Sequence, residues 1–135
     1  MKRPVFVIAA SLLLATGVAT AQSPPAKEPA VAQIIVLDVG PRPGTVVPKL
    51  IELMKRGNAI AQKTGNHGKA RLWANSFAGP EAGKVIVVIE TPSLSLMAAD
   101  GVKMRTDPEW TKLFADAETL GFKVVSESLA TEIPF

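Results

Sequence analysis

The side chains best placed by type and spacing to do chemistry fall in the segment Ala70–Ala78, ARLWANSFA. Residues two apart share a strand face, so Arg71, Trp73, Asn75 and Phe77 lie together there. A pocket built on that face has an apolar wall in Trp73, a hydrogen-bonding amide in Asn75 and a holder for an anion or enolate in Arg71. If the face turns toward the helices, it meets Met97 and Trp110, and these five residues line a site for a flat, partly apolar or aromatic ligand. The competing reading is packing: Trp73 and Phe77 lie under a helix, Arg71 and Asn75 sit near the sheet edge, and Trp110 belongs to a core stripe.

The other reactive side chains are more isolated. His67 stands in Gly65-Asn66-His67-Gly68, the composition of a turn, and reads either as a solvated loop histidine or as a proton carrier. It is the only histidine of a chain without cysteine, and no carboxylate follows it at helical ligand spacing, so no metal site is expected. Glu90 is the single acid of an apolar strand and reads as an exposed terminus or, if buried, a base. Asp107 is committed to a helix start, and Asp100, Asp107 and Glu109 form no convincing acid–base pair. The chain has no nucleophile elbow, phosphate loop or dinucleotide fingerprint.

The positioning elements follow from periodicity and punctuation. Val31–Val39 is a continuous apolar, β-branched run and predicts a strand buried on both faces. A helix is expected from about Val46 to Thr64, with Thr45 as N-cap, Pro48 in the first turn, and Val47, Leu50, Ile51, Met54 and Ala61 inward. Gly57 would permit a close helix–sheet contact, and Gly65 ends the helix. Residues 70–78 and Lys84–Thr91 predict an antiparallel hairpin. A weaker helix capped by Ser93 or Ser95 carries Leu94, Met97, Ala98 and Val102. In Asp107-Pro108-Glu109-Trp110 the aspartate caps, the proline fits the first helical position and the glutamate favours the positive helix end. Trp110, Leu113, Phe114, Ala117 and Leu120 form its stripe, Gly121 stops it, and a last strand runs from Phe122 to about Ala130.

The order β-α-β-β-α-β predicts an α+β, ferredoxin-like protomer: a four-stranded antiparallel sheet with its helices on one face. Helices can cover only one face, yet Ile34/Val36 and Ile35/Leu37/Val39 make both faces of the first strand apolar, and Val85/Val87/Ile89 and Ile86/Val88 do the same for the third. A bare apolar sheet face is a large exposed patch, and a second copy packing sheet to sheet would cover it.

Thr91-Pro92-Ser93-Leu94 after a hydrophobic strand, followed by Asp107-Pro108-Glu109-Trp110, resembles the dimeric α+β barrel superfamily over roughly residues 31–131. The most similar members are the antibiotic-biosynthesis-monooxygenase-like and NIPSNAP-like domains. The resemblance implies a homodimer whose sheets form a barrel, with a ligand cavity between sheet and helices. Its members include cofactor-free oxygenases and haem-degrading enzymes. The latter carry their iron-ligating histidine in the second helical region, whereas His67 follows the first helix, so no cofactor is expected.

The N-terminus sets the compartment. Lys2 and Arg3 precede an apolar run from Val5 to Val18, and Ala19-Thr20-Ala21 offers a small-x-small cleavage site. Residues 1–21 read as a signal peptide, residues 22–30, rich in proline, as a flexible leader, and residues 31–135 as one domain, periplasmic or secreted. The apolar run is short for a membrane span, and no membrane association is expected after cleavage. A chain that is 47% hydrophobic and 20% charged is globular rather than disordered. Losing Lys2 and Arg3 brings the net charge from +3 to about +1, which argues against nucleic acid as a partner. The function expected is binding of a small, partly apolar or aromatic molecule by an exported homodimer. The alternatives are a cofactor-independent oxygenase acting on a small aromatic substrate, and an assembly domain with no pocket.

Overall fold

A computed structural model describes residues 26–76 and 83–135. The expected signal segment 1–21 with its cleavage site, the first part of the expected leader and Phe77 lie outside these residues. Seven elements follow in order: β1 (Val31–Asp38), α1 (Pro43–Thr64), β2 (Lys69–Ala74), β3 (Val85–Thr91), α2 (Leu94–Thr106), α3 (Pro108–Glu118) and β4 (Lys123–Thr131). The strands form one antiparallel sheet in the order β2-β3-β1-β4. The two apolar strands β1 and β3 thus take the centre, and the more polar β2 and β4 take the edges. This is the ferredoxin-like arrangement expected from the element order.

Register decides which residues share a face. Ile35 pairs with Val87 and Leu37 with Val85, and these residues, with Leu72 of β2, pack against Leu50, Leu53 and Ala61 of α1 and Trp110 and Leu113 of α3. The intervening residues Ile34, Val36, Ile86 and Val88 occupy the opposite face, away from the helices. Every residue of β4 is exposed; a bulge between Val36 and Leu37 of β1 shifts its register. Among the described residues no helix is long and apolar enough to cross a membrane.

Several local expectations need correction. Helix α1 begins three residues before Val46: Arg42 is its N-cap without a side-chain bond, and Pro43 opens the first turn. Proline fixes φ near the helical value and its missing N–H costs nothing at that position, so Pro43, not Thr45, sets the start. Pro48 consequently lies in the second turn, where its ring faces solvent. On the inner face Leu53 replaces Ile51, which is 40% exposed. Gly57 makes its close approach to α3 rather than to the sheet: a Cβ there would stand 3.3 Å from Leu113 Cδ2. Helix α3 starts as its sequence dictates, with Asp107 Oδ1 accepting from Glu109 N at 2.8 Å and Trp110 N at 3.3 Å.

The leader is not free along its whole length. Ala30 and Glu132 are joined through their backbones, extending the β1–β4 pairing by one step. The Glu28 carboxylate accepts from Ser95 Oγ at 2.7 Å and Ser95 N at 3.3 Å, in the first turn of α2, where a negative charge is favoured. These bonds hold the Glu28 carboxyl below its ordinary pKa.

Candidate functional site

Among the described residues, Asp100, in the middle of α2, is a buried carboxylate with both oxygens bonded. Helix α1 ends on Gly65 in the left-handed conformation (φ 68°), which swings the loop Asn66–Gly68 under α2. Two successive loop N–H groups then meet one carboxylate oxygen: His67 N and Gly68 N donate to Asp100 Oδ2 at 2.6 and 3.1 Å. His67 Nδ1 lies 3.1 Å from Asp100 Oδ1. Gly68 packs closely here: a Cβ would stand 3.3 Å from Ile89 Cγ2 and 3.5 Å from Thr91 Oγ1. Two further bonds join the same elements, from Asn66 Nδ2 to Asp100 O at 3.5 Å and from Lys103 Nζ to Gly65 O at 2.9 Å.

This anchoring rotates α2 away from the face its apolar residues suggest. Asp100 is the only fully buried residue of the helix, at 5% exposure, whereas Leu94 and Val102 are each 55% exposed. Met97 and Met104, three and four residues from Asp100, accompany it inward, as helical spacing requires. Polar bonds to the loop, rather than a hydrophobic stripe, hold α2 on the body.

Beneath α2, between helices and sheet, lies a cavity of about 80 Å³ whose wall includes Asn58, Asn66, Met97, Asp100, Met104 and Trp110. Trp110 is 7% exposed, and its Nε1–H is buried without a hydrogen-bond acceptor. Asn58 is committed in both directions to Ala70, donating to its O and accepting from its N at 3.0 Å each. Trp110 also stacks on Phe114, with ring centroids 5.8 Å apart.

The sheet divides the five residues expected to line one pocket. Met97 and Trp110 do meet, in this cavity. Arg71 and Trp73 stand on the other side of the sheet, because their neighbour Leu72 is the residue that packs on the helix-side core. Trp73 is 56% exposed, opposite Ile86, and Arg71 Nη2 is 3.2 Å from Glu90 Oε2. Asn75 lies past the end of β2, where its N donates to Lys84 O at 3.0 Å and its O accepts from Gly83 N at 2.9 Å. It belongs to the hairpin closure, not to the cavity. The supposed single wall of Arg71, Trp73, Asn75, Met97 and Trp110 therefore does not exist: strand alternation sends the β2 pair to the open face.

His67 is half exposed and sits at the boundary between the Asp100 cluster and an open groove of about 590 Å³ at one end of the sheet. The groove is flanked by Lys69, Glu90 and Glu132 over a floor that includes Ala32 and Ala130. Sequence reasoning set Asp100 aside as an acid–base partner and gave Asn58 and Asn66 no role of their own. The available signal was the isolation of Asp100 in an otherwise apolar half-helix, where a carboxylate is either solvated or fully bonded. Among the described residues no group of three His, Asp or Glu side chains is placed to hold a metal ion.

No protein-family model and no curated protein matches the chain in sequence. In structure it is similar to a dimeric ferredoxin-like protein from an uncultured marine organism, with a TM-score of 0.52 and 12% identity, covering 80% of this chain and 99% of that one. At that identity the likeness concerns the fold, and the fold is ferredoxin-like.

Proposed function

We propose that the protein is an exported homodimer, assembled through the open face of the sheet, that holds a small, partly apolar molecule between sheet and helices of each protomer. The observation that carries the reading is the face formed by Ile34, Val36, Ile86 and Val88: Val36 is already buried and the other three are half-buried, Trp73 beside them is 56% exposed, and among the described residues none of the four belongs to the helix-side core. Soluble proteins seldom leave such a surface to water, and a two-fold axis would make it self-complementary. The similar marine protein is described as dimeric, which supports the same arrangement here. Export rests on the basic, apolar and small-residue regions of residues 1–21. This is the assembly and fold of dimeric α+β barrels, to whose monooxygenase-like and NIPSNAP-like members the sequence has its resemblance.

The aromatic ligand fits less well than a compact one. The helix–sheet cavity is about 80 Å³, well below the roughly 300 Å³ of a pocket for a drug-sized molecule. The oxygenase alternative loses its proposed wall, since Arg71 and Trp73 face the assembly surface. The reading is tested by sedimentation of the mature chain beside a Val88→Asp variant. The native chain should sediment as a dimer and the variant as a monomer or an aggregate. A well-behaved native monomer at micromolar concentration would refute the assembly.

A further inference from the structure

We propose that His67 and Asp100 form an acid–base dyad serving the open groove at the end of the sheet, where His67 Nε2 takes a proton from the carbon beside the carbonyl group of a small neutral ketone or aldehyde. This site is separate from the ligand space between sheet and helices. Asp100 is 5% exposed, and its Oδ2 is engaged by the His67 and Gly68 N–H groups at 2.6 and 3.1 Å. Oδ1 is left for the ring, and His67 Nδ1 lies 3.1 Å from it. A carboxylate only accepts, so this bond keeps the ring hydrogen on Nδ1 and leaves Nε2 its lone pair. One buried side chain thus holds His67 twice, by its backbone and by its ring, and fixes both position and tautomer.

The His67 side chain is 42% exposed and borders the groove, and Nε2 has no hydrogen-bond partner among the described residues. Lys69, Glu90, Ala32 and Ala130 pair in turn, one row across the sheet, and Lys69 follows His67 by two residues. The two alanines make a low floor on which a small molecule can lie within about 590 Å³. Glu90 is engaged by Arg71 at 3.2 Å, which leaves Lys69 without an ion pair among the described residues. Its ammonium is the donor at hand for a carbonyl oxygen. Glu90 and Glu132 flank the groove and disfavour an anionic substrate, so a neutral carbonyl compound fits it better.

The step is a proton transfer alone. The C–H bond breaks and its electrons form the carbon–carbon double bond of an enolate, while the carbonyl π pair moves to the oxygen, where the Lys69 ammonium meets the new charge. The proton forms the Nε2–H bond, and Asp100 stabilises the imidazolium. Return of a proton to the carbon or to the enolate oxygen restores the neutral ring, so no oxidant, reductant or co-reactant enters. An open groove suits this chemistry, because the Nε2 proton can exchange with water.

The experiment follows hydroxyacetone in heavy water by proton NMR, with the chain of residues 22–135 and, separately, with free imidazole at the same concentration. The chain should exchange the protons beside the carbonyl roughly a hundredfold faster than imidazole or more, the gain typical of a positioned base. His67→Gln should lose that gain, and Lys69→Met should lower kcat more than it raises KM. Pyruvate, an anion of similar size, should gain little. Asp100 is a positioning residue, read in the nitrogen spectrum of the single histidine. The neutral ring should carry its hydrogen on Nδ1 in the native chain and on Nε2 in Asp100→Asn, where an amide N–H meets Nδ1 instead. An exchange rate no greater than that of imidazole, a gain kept by His67→Gln, or a native ring protonated on Nε2 would each overturn the dyad. An equal gain with pyruvate would overturn the neutral substrate class. If Asp100→Asn fails to fold, the native tautomer and the His67→Gln rate still decide.

Discussion

Asp107 and Glu28 show how single carboxylates fasten this fold to its helix ends, and each carries a prediction. Asp107 accepts two backbone N–H groups at the start of α3. Asp107→Ala should lower stability by about 1–2 kcal/mol, the usual worth of such a cap. Urea unfolding should show the midpoint falling with an unchanged slope. Glu28 is fully exposed, and its pKa is lowered first by the Ser95 hydroxyl and then by the Ser95 amide. A lowered folded-state pKa means that the tether contributes above the ordinary glutamate value and is lost as pH falls through the folded one. Hydrogen exchange of the Ser95 amide should therefore accelerate relative to neighbouring α2 amides only below the ordinary glutamate range. In Glu28→Gln that acid-triggered step should be missing.

The candidate site was partly legible at this scale. Trp110 and Met97 could be read as neighbours because helical spacing turns each inward, and both border the space under α2. Arg71 and Trp73 could be read as sharing a face, which they do, but which face that is depends on where the helices land. Period two is symmetric about the strand, and Leu72 and Trp73 are both apolar enough to claim the core. Asp100 was illegible for a different reason. Its partners are backbone N–H groups of a loop more than thirty residues away, and no side-chain pattern announces a backbone donor.

Among the elements, the strands were the most legible. Continuous apolar runs marked β1 and β3 as strands, and both lie at the centre of the sheet. Helix α1 was found, but its start was misjudged because a threonine cap was preferred over a proline at the first helical position. The α1–α3 contact gives the prediction at this scale. Gly57 lets α1 approach Leu113 and Trp110, and Lys63–Glu109 and Arg56–Asp116 ion pairs flank that seam at 2.5 and 2.7 Å. Both pairs are largely exposed and contribute little, so the seam depends on close packing. Gly57→Ala gains helix propensity of up to about 1 kcal/mol and must displace Leu113 Cδ2 by a few tenths of an ångström, leaving a small net effect. Gly57→Val adds two methyl groups to the same gap and should destabilise by roughly 1–3 kcal/mol. Thermal unfolding of the two variants side by side separates propensity from packing. If valine were tolerated as well as alanine, the close seam would not exist in solution.

For the whole molecule the decisive quantity is the coupling of folding to association. If the face of Ile34, Val36, Ile86 and Val88 is covered only in the dimer, part of the apolar burial that stabilises the sheet exists only between two chains. A stable two-fold interface buries roughly 1,600 Å² in total, and Ile34, Val36, Ile86 and Val88 with Trp73 would lie within it. Mass action then makes stability depend on protomer concentration. Each tenfold dilution costs about 1.4 kcal/mol per mole of dimer. The melting temperature should consequently fall steadily across a dilution series of residues 22–135, whereas a monomer would melt at one temperature throughout. Trp73 reports the same event locally. It stands 56% exposed beside that face, so its emission should shift to the blue on association and return to the red on dilution. Trp110, inside the protomer core at 7% exposure, should not follow concentration. Trp73→Phe would thus remove the concentration-dependent part of the emission. A dilution series in which Trp110 responds and Trp73 does not would place the association on the helical side and reverse the assignment of the sheet's two faces.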